Sequence, residues 1–381
     1  MKSTSKVLNI DFSKSKYFYP HKFILHSFGT SISFHYLCNA ILKYSHYMAN
    51  EVDIIENNLL ADFGQEVFDI LLIDHSVTEY KKDGKTHNIF WATHDYEQLG
   101  EGYSYYDEIA REKITGEHSD VIMPRVMKEK TVQKKRVKKK AEIFTPAWIC
   151  NNMINNIDEN FFGRRIVFNE ELGKEGREWR TVPDKIAFPV GKTWQDYIAQ
   201  TWEEITCGEA PFMVSRYDTT TGVAIPLKDR IGFLDRKLRI VNENTDTLEG
   251  WFQYVILAYK CVRAYEWQGD SLFLARENLF YTFIDNYEYK FGTRPTLEQV
   301  REIADIISWN IFQMDGLKSV VPNTCHDVET QNLYGEIERT PCPGCKKKLF
   351  YGHNGIPALL RGREDGKSYP YEILHIKGKV I

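Results

Sequence analysis

The chain has 381 residues, with 49 Lys and Arg against 53 Asp and Glu for a net charge of −4, so a uniformly basic nucleic-acid binder is excluded and any grip on phosphates must sit in a patch. Its 43% hydrophobic and 14% aromatic content can fill the cores of two or three domains and excludes a chain that stays disordered. No apolar run reaches the ~20 residues of a membrane span, the opening residues lack a secretory apolar stretch, and an odd count of 7 cysteines argues against a disulfide framework; a reducing cytoplasm and no membrane partner are expected.

Residues 1–127 read as a mixed α/β region. Residues 23–50 are rich in aromatic and aliphatic side chains, which predicts a buried helix. Residues 67–73 carry a short apolar run expected to be a strand. Asp83-Gly84 marks a turn, and residues 88–93 give a second strand, so the pair predicts a hairpin. Asp69 or Asp74 together with Glu79 and Lys81 also matches the Asp…Glu-x-Lys pattern of a magnesium-dependent nuclease, in which carboxylates hold the ion and the lysine polarises a phosphate. Residues 128–140 form a basic linker or helix. Lys134, Lys135, Arg136, Lys138, Lys139 and Lys140 are dense enough to neutralise DNA phosphates, and equally fit a solvated face.

Residues 141–318 alternate strand-like and helix-like segments, the pattern of a wound parallel sheet. Glu204 through Met213 reads as a strand that turns at Cys207-Gly208 and opens a helix. Glycine lets backbone approach a ligand there, and a helix start offers free N–H groups. Residues 230–239 form an insertion whose basic face either contacts DNA or lies exposed on a helix. Tyr265-Glu266 ends a second strand. Leu272, Ala275, Leu279, Phe283 and Tyr287 then recur at helical spacing after the start signal Gly269-Asp270. Residues 303–311 are strand-like and lead into Met314-Asp315-Gly316.

Four segments in this order, Ala141 to Pro146, Glu204 to Met213, Tyr265-Glu266 and Asn310 to Leu317, resemble the cofactor half of S-adenosylmethionine-dependent adenine-specific DNA methyltransferases. More of the chain, through residues 144–150, 204–218, 265–279 and 306–317, resembles restriction endonuclease subunit M proteins, the modification components of restriction systems. The resemblance implies a Rossmann-like class I methyltransferase core. It implies S-adenosylmethionine held by Phe144, Thr145, Pro146, Glu204, Cys207, Gly208, Glu266 and Asp315, with Glu266 on the ribose and Asp315 on the adenine amine. It further implies methyl transfer to an adenine amine in DNA, alongside a restriction endonuclease or a second methyltransferase subunit. Glu204-Ile205 stands where the family has Asp-Pro, and Ala210-Pro211 replaces its second glycine and neighbour. The family's Asn/Asp/Ser-Pro-Pro-aromatic tetrapeptide, which accepts the target amine and stacks on the flipped base, does not occur; Ser368-Tyr369-Pro370-Tyr371 lacks the first proline. A circular permutation would move that function into the first region, where Asp95 and Tyr96 supply an acceptor and an aromatic. Otherwise the chain is a catalytically silent partner that binds cofactor and DNA.

Residues 319–381 carry Cys342-Pro343-Gly344-Cys345, a spacing at which two thiolates grip one zinc ion. Cys325 is the expected third ligand, and His353 or His326 the fourth. The reading is a structural, zinc-ribbon-like tail, against the alternative of reduced thiols in a turn.

Overall fold

A computed structural model describes residues 56–128, 145–331 and 334–373. Helix α1 (Glu56–Leu72) is broken at Gly64, where φ is +81°, and α2 (His75–Lys81) begins where the Asp74 carboxylate accepts the Val77 N–H. Helix α3 (Ala147–Phe162) stops at Gly163 in the left-handed region and is followed by the antiparallel pair β1 (Asn169–Leu172) and β2 (Glu178–Thr181). After α4 (Trp194–Ile198) come β3 (Trp202–Ile205), α5 (Phe233–Asn244), α6 (Leu248–Lys260) and β4 (Val262–Glu266). Helices α7 (Gly269–Phe291) and α8 (Leu297–Asn310) lead to β5 (Ile311–Gln313). The tail adds β6 (Val328–Gln331), β7 (Ile337–Thr340), the short α9 (Pro343–Lys347), β8 (Leu359–Arg361) and β9 (Ser368–Pro370).

The protein is thus mixed α/β, and at its centre β3, β4 and β5 form a parallel sheet in that order. Side chains alternate across a strand, so the register sorts them by face. Glu204, Ala264 and Ile311 are in register on one face, and Glu203 with Arg263 and Ile205 with Tyr265 and Phe312 on the other. Helices cover the first face. Tail residues cover the second: Ala358, Leu360 and Tyr371 form a buried cluster with Tyr265, Phe312 and Met314, and the Tyr371 hydroxyl donates to Glu203 at 2.6 Å. The main core is contiguous from Leu59 to Ile311 and joins the first helices to the sheet.

Three local expectations are corrected. Residues 67–71 are helical, because Val67, Phe68, Leu71 and Leu72 lie with Leu59 on one buried face of α1; a short apolar run fits either period until its neighbours are known. What remains of the hairpin is a bridge between Ile73 and Asn88. Residues 303–310 are helix, with Val300, Ile303, Ala304 and Ile307 buried at helical spacing, and the strand begins at Ile311. The basic residues of the insertion point inward. Arg236 pairs with Asp158 and Asn151, Lys237 donates to the Ile198 carbonyl, Arg239 bonds Phe168 and Val182, and Arg230 pairs with Asp285. With those charges spent on internal acceptors, no cationic face is left there for DNA. The expected amphipathic helix over residues 271–287 forms within α7.

Arg276 of α7 is buried and donates to the carbonyls of Leu71, Ile73, Ser308 and Ile311. Arg276→Leu strands these acceptors in the core. Denaturant unfolding should show a loss of about 3 kcal/mol or more, since each unsatisfied buried group costs roughly 1–3 kcal/mol; a loss below about 1 kcal/mol would contradict that account.

Candidate functional site

The loop after β3 is held in an unusual backbone conformation. Thr206, Gly208 and Ala210 have φ values of +49°, +55° and +62°. Left-handed φ suits glycine, but it is uncommon for alanine and more so for a β-branched threonine, so the surroundings must enforce it. They do so from several sides. Cys207 N donates to the Tyr265 carbonyl at 3.0 Å, Ala210 N to the Cys207 carbonyl at 2.8 Å, and the Asn278 amide reaches the Glu209 carbonyl at 3.0 Å. The expected helix does not follow. Residues 211–213 form a turn, and the buried Glu204 carboxyl accepts Phe212 N at 3.3 Å and Met213 N at 3.0 Å, the donors a helix start would have left free. Burial pushes the Glu204 carboxyl up to about 8, against the pull of those two N–H groups. Glu204 therefore shapes the loop from below. The Cys207 thiol is buried and driven well up, first by burial and then by Glu204 and Glu266.

Glu266 ends β4, and its Oε2 accepts Gly208 N at 2.9 Å across 58 residues of sequence. Its Oε1 accepts Trp267 N at 2.8 Å and Gln268 N at 3.3 Å. Burial raises its pKa and these donors oppose the rise. Asp315 follows β5; its Oδ1 accepts Leu317 N at 2.9 Å and its Oδ2 lies 3.5 Å from Lys318 Nζ. Gly208, Glu266 and Asp315 thus stand at the carboxyl ends of three adjacent parallel strands, where open α/β sheets bind ligands.

The first region walls this edge. The Gln313 amide exchanges bonds with Phe90 N at 3.0 Å and Phe90 O at 2.9 Å, and also donates to the Trp267 carbonyl at 2.8 Å. Gly269 allows the approach, because a Cβ there would sit 2.2 Å from the Phe90 carbonyl oxygen. The Tyr105 hydroxyl accepts the Trp267 indole at 3.1 Å and the Asn323 amide at 2.8 Å. Gln313, Asn278 and Tyr105 carried no sequence signal. Only a polar glutamine inside the apolar Ile311-Phe312-Gln313-Met314 run could have hinted at a role.

Other expected residues fall as follows. Thr145 and Pro146 lie beside the turn after the loop: the Thr145 carbonyl accepts the Thr219 hydroxyl at 3.3 Å, and Ala147 N donates to Asp218 at 2.8 Å. Phe144 and the basic cluster Lys134, Lys135, Arg136, Lys138, Lys139 and Lys140 lie outside the described residues, as does the helix expected over residues 23–50. Tyr96 is buried against Trp91, with ring centroids 4.6 Å apart, and donates to Asp270 at 2.7 Å; the Asp95 carbonyl accepts the Gln98 amide. Asp69 pairs with Arg111, Asp74 caps α2, Glu79 accepts the Ser368 hydroxyl, and Lys81 lies 3.7 Å from Glu108. No group of three potential metal ligands among the described residues includes Asp69, Asp74 or Glu79.

The tail residues Cys325, Cys342, Cys345 and His353 do converge. Their ligand atoms all lie within 4.8 Å of one another. Cys325 Sγ is 3.5 Å from Cys342 Sγ and 3.6 Å from Cys345 Sγ, and His353 Nδ1 is 3.4 to 3.5 Å from all three. A tetrahedral ion with Zn–S bonds of about 2.3 Å separates its sulfurs by about 3.8 Å, so this cluster can hold zinc with little movement. His353 Nε2 lies 2.8 Å from the Leu349 carbonyl, which assigns the proton to that nitrogen and leaves Nδ1 as the ligand. Gly344 is required beneath the ring, where a Cβ would come within 2.7 Å of His353. His326, the other candidate, instead faces the Thr324 carbonyl at 2.9 Å.

No helix among the described residues is long and apolar enough to cross a membrane. No protein-family model, curated protein or solved structure matches the chain.

Purified protein should carry one zinc per chain by elemental analysis. Cys345→Ser should lower that occupancy and the melting temperature together; a metal-free protein of unchanged stability would remove the site. The pH dependence of Glu204 is a second test. Its folded-state pKa lies above the unfolded value, so the native state holds a proton that the unfolded chain has lost. Stability should therefore fall as pH rises from about 4.5 to about 8. Glu204→Gln mimics the neutral acid and should flatten that slope in urea titrations across the same range, whereas an unaltered slope assigns the dependence to other groups.

Proposed function

We propose that the chain binds S-adenosylmethionine at the carboxyl edge of the β3-β4-β5 sheet, in a Rossmann-like methyltransferase core, and transfers its methyl group to an adenine amine in DNA as the modification component of a restriction system. The observation that carries this reading is the 2.9 Å contact between Gly208 N and the Glu266 carboxylate. It brings the turn after one strand against the acidic end of the next, the arrangement that nucleotide-binding sheets use for a ribose. A carboxylate has about four acceptor positions. Three are taken by backbone N–H groups, which leaves one on Oε2 for a ribose hydroxyl. Asp315 at the third strand end is the acceptor for the adenine amine. Methyl transfer needs little from the protein beyond alignment: the positively charged sulfonium supplies the methyl, and the enzyme must present the amine in line with it and accept its proton.

In this reading the Cys3His cluster holds a structural zinc, because four protein ligands leave no open position for chemistry.

A second reading is favoured by the commitments of the first region. Tyr96 donates to buried Asp270, which also pairs with Lys128 at 3.2 Å, so this aromatic serves the base of α7. With no Asn-Pro-Pro-aromatic tetrapeptide in the sequence, a chain that binds cofactor and DNA without methylating is the alternative.

Calorimetric titration of the full chain with S-adenosylmethionine tests the shared premise. Binding is expected, and Glu266→Ala should weaken it by about 1–3 kcal/mol, the scale of a lost buried polar partner. Equal affinity of the variant would remove Glu266 from the site. Transfer of labelled methyl to mixed-sequence DNA then separates the active enzyme from the silent partner.

A further inference from the structure

We propose that Tyr105 recognises the purine edge of the bound nucleoside by donating its phenolic proton to a ring nitrogen, which makes it a specificity determinant contributed by the first region. The inference rests on the cofactor reading above and extends it to a residue that no motif of the chain marks.

Backbone contacts place this residue. Tyr105 O accepts Ala92 N at 2.9 Å, which fixes its turn to the 90–92 segment. That segment is in turn locked to the sheet by Gln313 and by the bond from Gly269 N to Trp91 O at 3.1 Å. The phenol is therefore carried on the rim of the sheet edge. Its oxygen accepts one bond from Trp267, the residue directly after Glu266, and one from Asn323, on the segment that follows Asp315. Tyr105 thus spans the gap between the ends of β4 and β5, where the ribose and adenine acceptors stand.

The two bonds fill the oxygen's acceptor capacity, so the hydroxyl retains its proton as a donor. That proton has no acceptor among the described residues. Burial, helped by the nearby Tyr106 and Asp315, raises the phenol pKa, so the group remains a neutral donor at physiological pH. Asp315, near enough to act on the phenol electrostatically, is an acceptor. A donor beside an acceptor complements the aminopurine edge of adenine, where an amine lies next to a ring nitrogen. Hypoxanthine presents a carbonyl at the amine position and would set it against the Asp315 carboxylate. The aromatic neighbours hold the ring in place: His94 and Tyr106 each lie with ring centroids 4.8 Å from that of Tyr105.

The test is calorimetry of the full chain with S-adenosylhomocysteine and its 1-deaza, 3-deaza and 7-deaza analogues. Tyr105→Phe should weaken binding of the parent compound about tenfold, the scale of one hydrogen bond. For the analogue that lacks the contacted nitrogen, wild type and variant should bind equally. Asn323→Ala, which only releases the phenol from one side, should show a smaller loss that the same analogue erases. A Tyr105→Phe affinity within twofold of wild type overturns the proposal, as does an equal loss for the parent and all three analogues, since that pattern reports a structural role. Failure of the wild-type chain to bind S-adenosylhomocysteine is a different result: it sinks the cofactor reading itself, and this inference with it.

Discussion

One buried guanidinium fixes the geometry on which the sheet edge depends. Arg276 projects from α7 into a junction of three segments: the corner between α1 and α2, the end of α8, and the first residue of β5. Each offers backbone carbonyls that a core of aliphatic side chains would leave unsatisfied. A planar group with five donors in a fixed fork meets four of them at once, and Lys or Met cannot. Burial lowers the arginine's pKa to about 10, still far above neutrality, so the charge persists, and Asp74 nearby favours it. The consequence is register. Once Ile73 and Ile311 share one guanidinium, the chain that follows Ile73 must run beside β5, and Phe90 meets the Gln313 amide as though it were a further strand.

The same solution recurs away from the sheet edge. Asp158, Arg236, Asn151, Asn155 and Asn169 form a buried network that ties α3 to α5 and to β1. The Tyr197 hydroxyl completes it by donating to Asp158. Lys237, fully buried one residue further along α5, ends among the carbonyls of Ile198 and Gln200 and has its pKa lowered by burial to about 7. Burying charge is unfavourable unless every polar atom is met, and partly met networks are worse than apolar packing. These networks therefore specify one arrangement of α3, α5 and α7, and the strained Thr206–Ala210 loop rests on that frame through Asn278 and Tyr217, whose hydroxyl donates to Glu209 at 2.7 Å. A loop with three left-handed residues in five needs such a frame, because its own preferences run toward other conformations.

Some of this was legible in the sequence for local reasons. The Cys342-Pro343-Gly344-Cys345 knuckle is short, so its two thiols are neighbours in any fold, and Cys325 and His353 needed only to come near. The helix over residues 271–287 has an apolar face that any core would bury. The ends of β4 and β5 were marked by acidic residues after apolar runs. What was hidden is tertiary. Residues 67–71 and 303–310 are apolar runs whose period is settled only by the helices they meet, α1 against α8. Arg236 and Lys237 look like a solvated basic face until their acceptors, distant in sequence, are known. Glu204 resembled a ligand contact, yet the turn at residues 211–213 claims its carboxyl. Nothing local distinguishes Tyr105 from the other tyrosines of the chain, because its partners Trp267 and Asn323 lie far along the sequence.

The tail's place in the fold gives the Cys3His cluster a reach beyond its own four side chains. Asp315 N donates to the Val320 carbonyl at 2.7 Å, Val320 bridges Pro357, and Val321 N donates to the Ile356 carbonyl at 2.8 Å. The short stretch from Asp315 to Cys325 therefore runs between the acidic end of β5 and a thiol of the Cys3His cluster, pinned along its length by the segment that also carries His353. The Thr324 hydroxyl accepts Ile356 N at 3.0 Å, and Gly355 passes so close to Cys325 N that a Cβ would lie 2.9 Å from it. An ion that draws Cys325 and His353 together closes this short antiparallel contact at its far end, with Asp315 at the near end and Asn323 between. The residues that cover the second face of the sheet, Ala358 and Leu360, follow directly from the same segment. A metal held by these four ligands would act as the clasp of a layer that a doubly wound fold would build from helices, and the same clasp would fix the wall of the sheet edge on which Asp315 stands.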